Sequence, residues 1–135
     1  MEAVMPPHDE TLLYVDDEPL MTDVFRQYMT RRGYRVLTAA SGEQALRIMA
    51  HEGGMVRLII TDMTMPDMDG EELARRLAEI APTAPVLIAT GHDLAPGEMD
   101  LPSNVAEVIR KPYQNRHLAE RIREILDHRA SGSVA

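Results

Sequence analysis

Leu58-Ile59-Ile60-Thr61-Asp62-Met63-Thr64-Met65-Pro66-Asp67-Met68-Asp69-Gly70 is the stretch that decides how this chain is read. Leu58 to Thr61 is apolar and β-branched, the composition of a strand covered on both faces. The run stops at a carboxylate, Asp62. Pro66, Asp67, Asp69 and Gly70 then turn the chain, and a helical pattern begins at Glu71-Glu72-Leu73. A buried strand ending on an acid at a strand-to-helix loop puts that acid on the carboxyl edge of a sheet, where open α/β folds keep their sites. Asp62 is therefore the candidate reactive group. A turn-forming aspartate fits the same position, so the decision rests on what the other strand ends carry.

Upstream, Thr11-Leu12-Leu13-Tyr14-Val15 is a short apolar run bounded by Asp16-Asp17-Glu18, a first strand buried on both faces. Pro19 opens a helix that uses Leu20, Val24, Phe25 and Tyr28 at three- and four-residue spacing, and Gly33 is placed to end it. Tyr34 to Ala39 is strand-like. Ser41 with Gln44 three residues on is a capping-box signature for a helix from Glu43 to His51, with Ala45, Leu46 and Met49 inward. Gly53-Gly54 stops that helix, and Met55 to Thr61 is the third strand.

Downstream, Glu71 to Ile80 is a helix burying Leu73, Leu77 and Ile80, and Glu71-Glu72 with Arg75-Arg76 reads as its solvated face. Pro85 to Ala89 is a fourth strand with Thr90 at its end. Gly91 to Val105 holds Pro96, Gly97 and Pro102, so at most a turn or two of helix fits there. Ala106 to Arg110 is a fifth strand ending at Lys111-Pro112. The last helix, about Asn115 to His128, puts Leu118, Ile122, Ile125 and Leu126 on one face. Residues 1–9 read as a flexible leader, 10–128 as the folded domain and 129–135 as a flexible tail. Strictly alternating strands and helices imply a parallel sheet with helices on both faces.

At 135 residues, 44% of them hydrophobic, the chain suits one domain with a single core. A net charge of −8 argues against direct binding to nucleic acid or to an anionic membrane surface. The absence of cysteine excludes a disulfide, a thiolate nucleophile and a thiolate metal site. No apolar run approaches the roughly 20 residues that span a bilayer, and the N-terminus lacks signal-peptide order, so a cytoplasmic location is expected. Only five aromatic residues are present, a poor supply for stacking bases or sugars.

Aligned in parallel, the carboxyl ends of the strands bring together Asp16 and Asp17, Asp62, Thr90 and Lys111. Carboxylates a few ångströms apart repel, each pair by roughly 4 kcal/mol at about 4 Å for an effective dielectric near 20. A cation must offset this, and oxygen-only ligands suit a hard, partly hydrated ion such as Mg2+. A carboxylate beside Mg2+ and a lysine is also arranged for phosphoryl transfer onto the carboxylate, with the Thr90 hydroxyl able to bond the new phosphoryl oxygens.

Four motifs, Tyr14-Val15-Asp16-Asp17-Glu18-Pro19, Thr61 through Gly70, Ala89-Thr90-Gly91 and Lys111-Pro112-Tyr113, resemble those of the receiver domain of two-component response regulators. They stand in family order with family-like separations, and the resemblance covers about Glu10 to Asp127. It implies a flavodoxin-like, doubly wound sheet of five parallel strands in the order 2-1-3-4-5, here with an irregular fourth helix region. It also implies that Asp62 accepts phosphate from a phosphohistidine. Asp17, Asp62 and the backbone carbonyl of Thr64 would ligate Mg2+, with Asp16 acting through water. Lys111 would pair with the phosphoryl group and Thr90 would be the switch hydroxyl. Pro112 resembles the family's cis-proline. The implied partners are a histidine kinase or histidine phosphotransfer protein and a downstream protein target, with a weak homodimer left open and no nucleic acid or membrane contact.

The chain departs from the family pattern at Val108, where an aromatic switch residue often stands, and in the Pro- and Gly-broken segment from Gly91 to Val105. Output is therefore expected through the first helix or a rearranged loop. Receivers attached to or working beside hybrid kinases are the nearest in character. Thr64 and His92 occupy positions that in the family tune the loss of the acyl phosphate. Two other readings stand beside this one. The first is a Mg2+-dependent phosphotransferase or phosphatase, which would need a second acid-base carboxylate and a substrate cap. The second is a receiver that binds partners without being phosphorylated.

Overall fold

The computed structural model describes residues 9–52, 54–91 and 100–132. The chain alternates β1 (Thr11–Val15), α1 (Pro19–Arg31), β2 (Arg35–Ala39), α2 (Gly42–Glu52), β3 (Val56–Asp62), α3 (Gly70–Ile80), β4 (Val86–Thr90), β5 (Val105–Arg110) and α4 (Asn115–Gly132). All strand pairs are parallel, in the order β2-β1-β3-β4-β5. This is the flavodoxin-like order implied by the motifs. The leader over residues 1–8, Gly53, the segment 92–99 with its expected irregular helix and His92, and residues 133–135 lie outside the described residues.

Strand periodicity splits the core into two layers. Leu12, Tyr14, Leu58, Ile60, Leu87, Ala89 and Ile109 face Phe25 and Met29 of α1 and Leu118, Ile122, Ile125 and Leu126 of α4. Leu13, Val15, Ile59, Val86 and Ile88 face Met49 of α2 and Leu73, Ala74 and Leu77 of α3. Both faces of the central strands are therefore covered, which is why their sequences read as continuous apolar runs. After β1 the chain moves to β2 on one side, and later elements build on the other. That reversal opens a crevice at the carboxyl ends of β1 and β3.

Local signals set the element ends. Gly33, at φ 97°, carries the chain out of α1 in a conformation that a side chain would strain. The Ser41 hydroxyl accepts from Gln44 N–H at 3.1 Å, while Gln44 Oε1 reaches back to Ala40 N–H at 2.8 Å, one residue before the position of an ideal capping box. The solvated face of α3 carries the Arg75–Glu71 and Arg76–Glu72 pairs.

Three details differ from the expected pattern. Leu20 and Val24 are 77% and 50% exposed, whereas Phe25 and Met29 are each 1% exposed. Both pairs are four residues apart, so spacing alone does not distinguish them. The stripe meeting the sheet is the one displaced by a single residue, about 100° around the helix. Ile80, in the last turn of α3, is 52% exposed and lines an open cleft with Met55, while Ala74 takes the inward place. Finally, α4 continues beyond His128 to Gly132, because Arg129 and Ala130 are good helix formers and no breaker precedes the glycine.

Phe25→Ala is expected to cost about 3–5 kcal/mol of stability, as an emptied core site does. Leu20→Ala should change it by less than about 0.5 kcal/mol. Urea denaturation of both variants distinguishes this helix phase from the alternative.

Candidate functional site

The sheet delivers the expected residues to one edge. Asp16 directly follows β1 and is still tied to β2, since its N–H donates to Ala39 O at 3.0 Å. Register pairs Val15 with Thr61, so the next residues, Asp16 and Asp62, leave neighbouring strands side by side. Oxygen atoms of Asp16, Asp17 and Asp62 lie within 4.8 Å of one another. From the far side, Lys111 N–H donates to Thr90 O at 2.7 Å, and Lys111 Nζ lies 3.0 Å from Asp62 Oδ1. The Lys111–Pro112 peptide is cis. Thr90 is buried at the end of β4, Asp17 is exposed, and Thr64 is exposed on the loop two residues past Asp62. Val108, where an aromatic switch would stand, is a half-exposed aliphatic side chain on β5.

The loop after β3 is held at both ends. Met63 N–H donates to Ala89 O at 2.8 Å, and Gly70 N–H donates back to Met63 O at 2.7 Å. A Cβ on Gly70 would stand 2.9 Å from Asp62 O and 3.1 Å from Met63 Cα, so a side chain there would push the backbone that carries Asp62. Asp69 caps α3 by accepting from Glu72 N–H at 2.8 Å. Asp67 crosses to α2 and accepts from Gly42 N–H at 3.2 Å and Glu43 N–H at 2.9 Å. Slight burial opposes ionisation of Asp67, but these N–H bonds outweigh it and hold its carboxyl below the usual range.

Electrostatics distinguish the acids. Burial raises the pKa of Asp16, the N–H of Glu18 at 2.9 Å from Oδ1 partly opposes the rise, and the charge of Asp62 adds to it. For Lys111, burial favours the neutral amine, but the hydrogen bond and charge of Asp62, with the charge of Asp16, prevail and raise its pKa. Three carboxylates against one ammonium leave excess negative charge in a partly buried cluster. A hard cation with oxygen ligands fits that donor set, so the cluster can hold a metal.

Two residues join the site without having been singled out for it. The Tyr14 hydroxyl donates to Asp16 Oδ2 at 3.2 Å, and the Tyr113 hydroxyl lies 3.3 Å from that of Tyr14. The available signal was strand alternation, which puts Tyr14 on the face of Asp16. Its apolar neighbours made it look like core alone. Burial raises the pKa of both phenols further above their ordinary value of 10.0, so both hydroxyls keep a proton to donate.

A family model for the response regulator receiver domain matches residues 12–123. The sensor kinase CckA of Brucella abortus (strain 2308) is 33% identical over 118 residues, which cover 87% of this chain and 12% of that protein. The transcriptional regulatory protein GlrR of Escherichia coli (strain K12) is 33% identical over 120 residues, covering 88% of this chain and 27% of that protein. The chain thus spans well under half the length of either relative. Among solved structures, the response regulator protein TrrA of Thermotoga maritima, crystallised in complex with Mg2+ and BeF, superposes with a TM-score of 0.73 at 28% identity. That match covers 85% of this chain and 97% of the other.

The raised pKa of Asp16 has a sign. The folded state holds the Asp16 proton more tightly than the unfolded chain does, so stability from this group is full below the ordinary value of 3.8 and is lost as pH rises through the raised folded value. Asp16→Asn is therefore expected to raise the urea midpoint at pH 7 in metal-free buffer and to flatten its dependence on pH in the acid range. Denaturation at pH 5 and pH 7 reads this out; a lower midpoint at pH 7 would contradict it.

Proposed function

This chain belongs to the response regulator receiver domain family, a phosphoacceptor signalling domain of two-component systems, and we propose that its acceptor is Asp62. The observation carrying this is the Lys111–Asp62 contact inside the three-carboxylate cluster, at the crevice where the strand order reverses. A carboxylate oxygen of Asp62 attacks the phosphorus of a phosphohistidine. The O–P bond forms as the P–N bond breaks, the electron pair returns to the imidazole, and Asp62 becomes an acyl phosphate. Lys111 shifts from the carboxylate toward a phosphoryl oxygen, and the Thr90 hydroxyl donates to another. Attack of water on the phosphorus breaks its bond to the Asp62 oxygen, restores the carboxylate and releases inorganic phosphate. The domain catalyses only its own phosphorylation and dephosphorylation.

Mg2+ fits the oxygen donor set, and Asp17, Asp62 and the backbone carbonyl of Thr64 would hold it, with Asp16 acting through water. When bound it supplies positive charge that lowers the cost of bringing a phosphoryl group to a carboxylate. The Mg2+ and BeF complex of TrrA supports this choice of metal.

The partner surface we propose begins at Asp17 and runs along α1. Leu20, Met21 and Val24 are exposed there, next to the acids. A helix of a histidine kinase or histidine phosphotransfer protein could cover them while presenting its phosphohistidine to Asp62. A downstream protein target and a weak homodimer would use other faces. The working domain runs from residue 10 through the end of α4 at Gly132, four residues past the expected boundary at 128, and acts in the cytoplasm. No helix among the described residues is long and apolar enough to cross a membrane.

Incubation with acetyl phosphate and Mg2+, followed by intact-mass spectrometry, should add one hydroxylamine-labile phosphoryl group to the wild type and none to Asp62→Asn. Labelling that survives in Asp62→Asn would move the acceptor elsewhere. Lys111→Ala should keep Mg2+ binding but slow phosphorylation by about 100- to 1,000-fold, the scale of one lost electrostatic donor; a wild-type rate would remove Lys111 from the mechanism.

A further inference from the structure

Tyr14 and Tyr113 are 99 residues apart in sequence, yet their hydroxyls meet beside Asp16. The Tyr14 ring is 2% exposed and stacks on Phe25, with centroids 4.1 Å apart and planes 11° from parallel. A phenylalanine would keep that packing, so the hydroxyl serves something else. A phenol has one proton to give. Tyr14 commits its proton to Asp16 Oδ2, so the other contact has a fixed sense, with Tyr113 donating and Tyr14 accepting.

The chain of donors starts two residues after Lys111 and ends on the carboxylate at the head of β1. It connects β1 with the segment beyond β5, with β3 and β4 lying between them in the sheet. Asp16 is 4% exposed, and its carboxylate is gripped on both oxygens, by Glu18 N–H at Oδ1 and by Tyr14 at Oδ2. With both bonds in place its plane is fixed, while spare acceptor capacity remains for water around a cation.

We propose that Tyr113 and Tyr14 form a positioning relay that orients the Asp16 carboxylate for the metal's water shell, so that the Tyr14 hydroxyl helps set Mg2+ affinity. This rests on the reading that Asp16 belongs to the metal site. Partners that orient a metal-binding carboxylate in this way typically change affinity 10- to 100-fold when removed. Tyr113 acts only through Tyr14, so its effect must vanish once the Tyr14 hydroxyl is gone.

The test compares wild type, Tyr14→Phe, Tyr113→Phe and the double variant as full chains. Mg2+ affinity is measured by calorimetry, and the Asp16 side-chain carboxyl 13C resonance is followed by NMR without metal. Tyr14→Phe should weaken Mg2+ by about 10-fold and shift the Asp16 resonance. Tyr113→Phe should shift that resonance in the same direction, with a smaller loss of affinity, and the double variant should match Tyr14→Phe. Unchanged affinity and an unmoved resonance in Tyr14→Phe would overturn the relay, as would a double variant whose loss is the product of the single losses. A wild type that binds no Mg2+ would instead overturn the metal reading beneath it.

Discussion

Mutual repulsion among Asp16, Asp17 and Asp62 is the constraint around which this sheet edge is organised. Their oxygens lie within 4.8 Å of one another, and the parallel register of β1 and β3 brings Asp62 beside the adjacent pair Asp16-Asp17. Such a cluster folds only if its charge is answered. Lys111 answers part of it from the end of β5, at 3.0 Å from Asp62. Backbone N–H and phenol donors answer another part at Asp16. What they leave is an excess of negative charge that favours a divalent cation or an incoming group able to bridge it. On the function proposed above, the same imbalance that burdens folding would draw Mg2+ to the cluster and leave Asp62 ready for a phosphoryl group.

The loop from Met63 to Asp69 ties the backbone next to Asp62 to three other elements. It is bonded to β4 through Met63, to α3 through Asp69 and to α2 through Asp67, and Gly70 lets it pass close under Asp62. A phosphoryl group on Asp62, as proposed above, would act on a segment with attachments to three elements. The aliphatic Val108 on β5 cannot supply a rotating aromatic ring as readout. On the function proposed above, Thr90 and the exposed face of α1 would be the nearer routes from the site to a partner.

Most of this architecture is legible in the sequence because its signals are physical and local. Apolar runs ending on Asp16, Asp62, Thr90 and Lys111 mark strands buried on both faces and point to one edge of a parallel sheet. Gly33, Ser41 and the Pro66–Gly70 turn mark the breaks. Where the reading slipped, the missing information was rotational. Leu20 and Val24 repeat every four residues just as Phe25 and Met29 do, and only the sheet's position decides which stripe it covers. The tyrosine pair was hidden for a related reason. Tyr14 is a core residue by burial, and its hydroxyl acquires meaning only when Tyr113 and Asp16 are seen beside it.

The most direct test of the central claim, that the edge is a charge cluster completed by a divalent cation, is urea denaturation of the wild-type protein over a Mg2+ series, with NaCl controls at matched ionic strength. The account predicts a midpoint that climbs logarithmically with Mg2+ once the site begins to fill, adding about 1.4 kcal/mol for each further decade of free ion, beyond anything NaCl produces. A midpoint that follows ionic strength alone would mean that Lys111 and the local donors already balance the acids, and would contradict it.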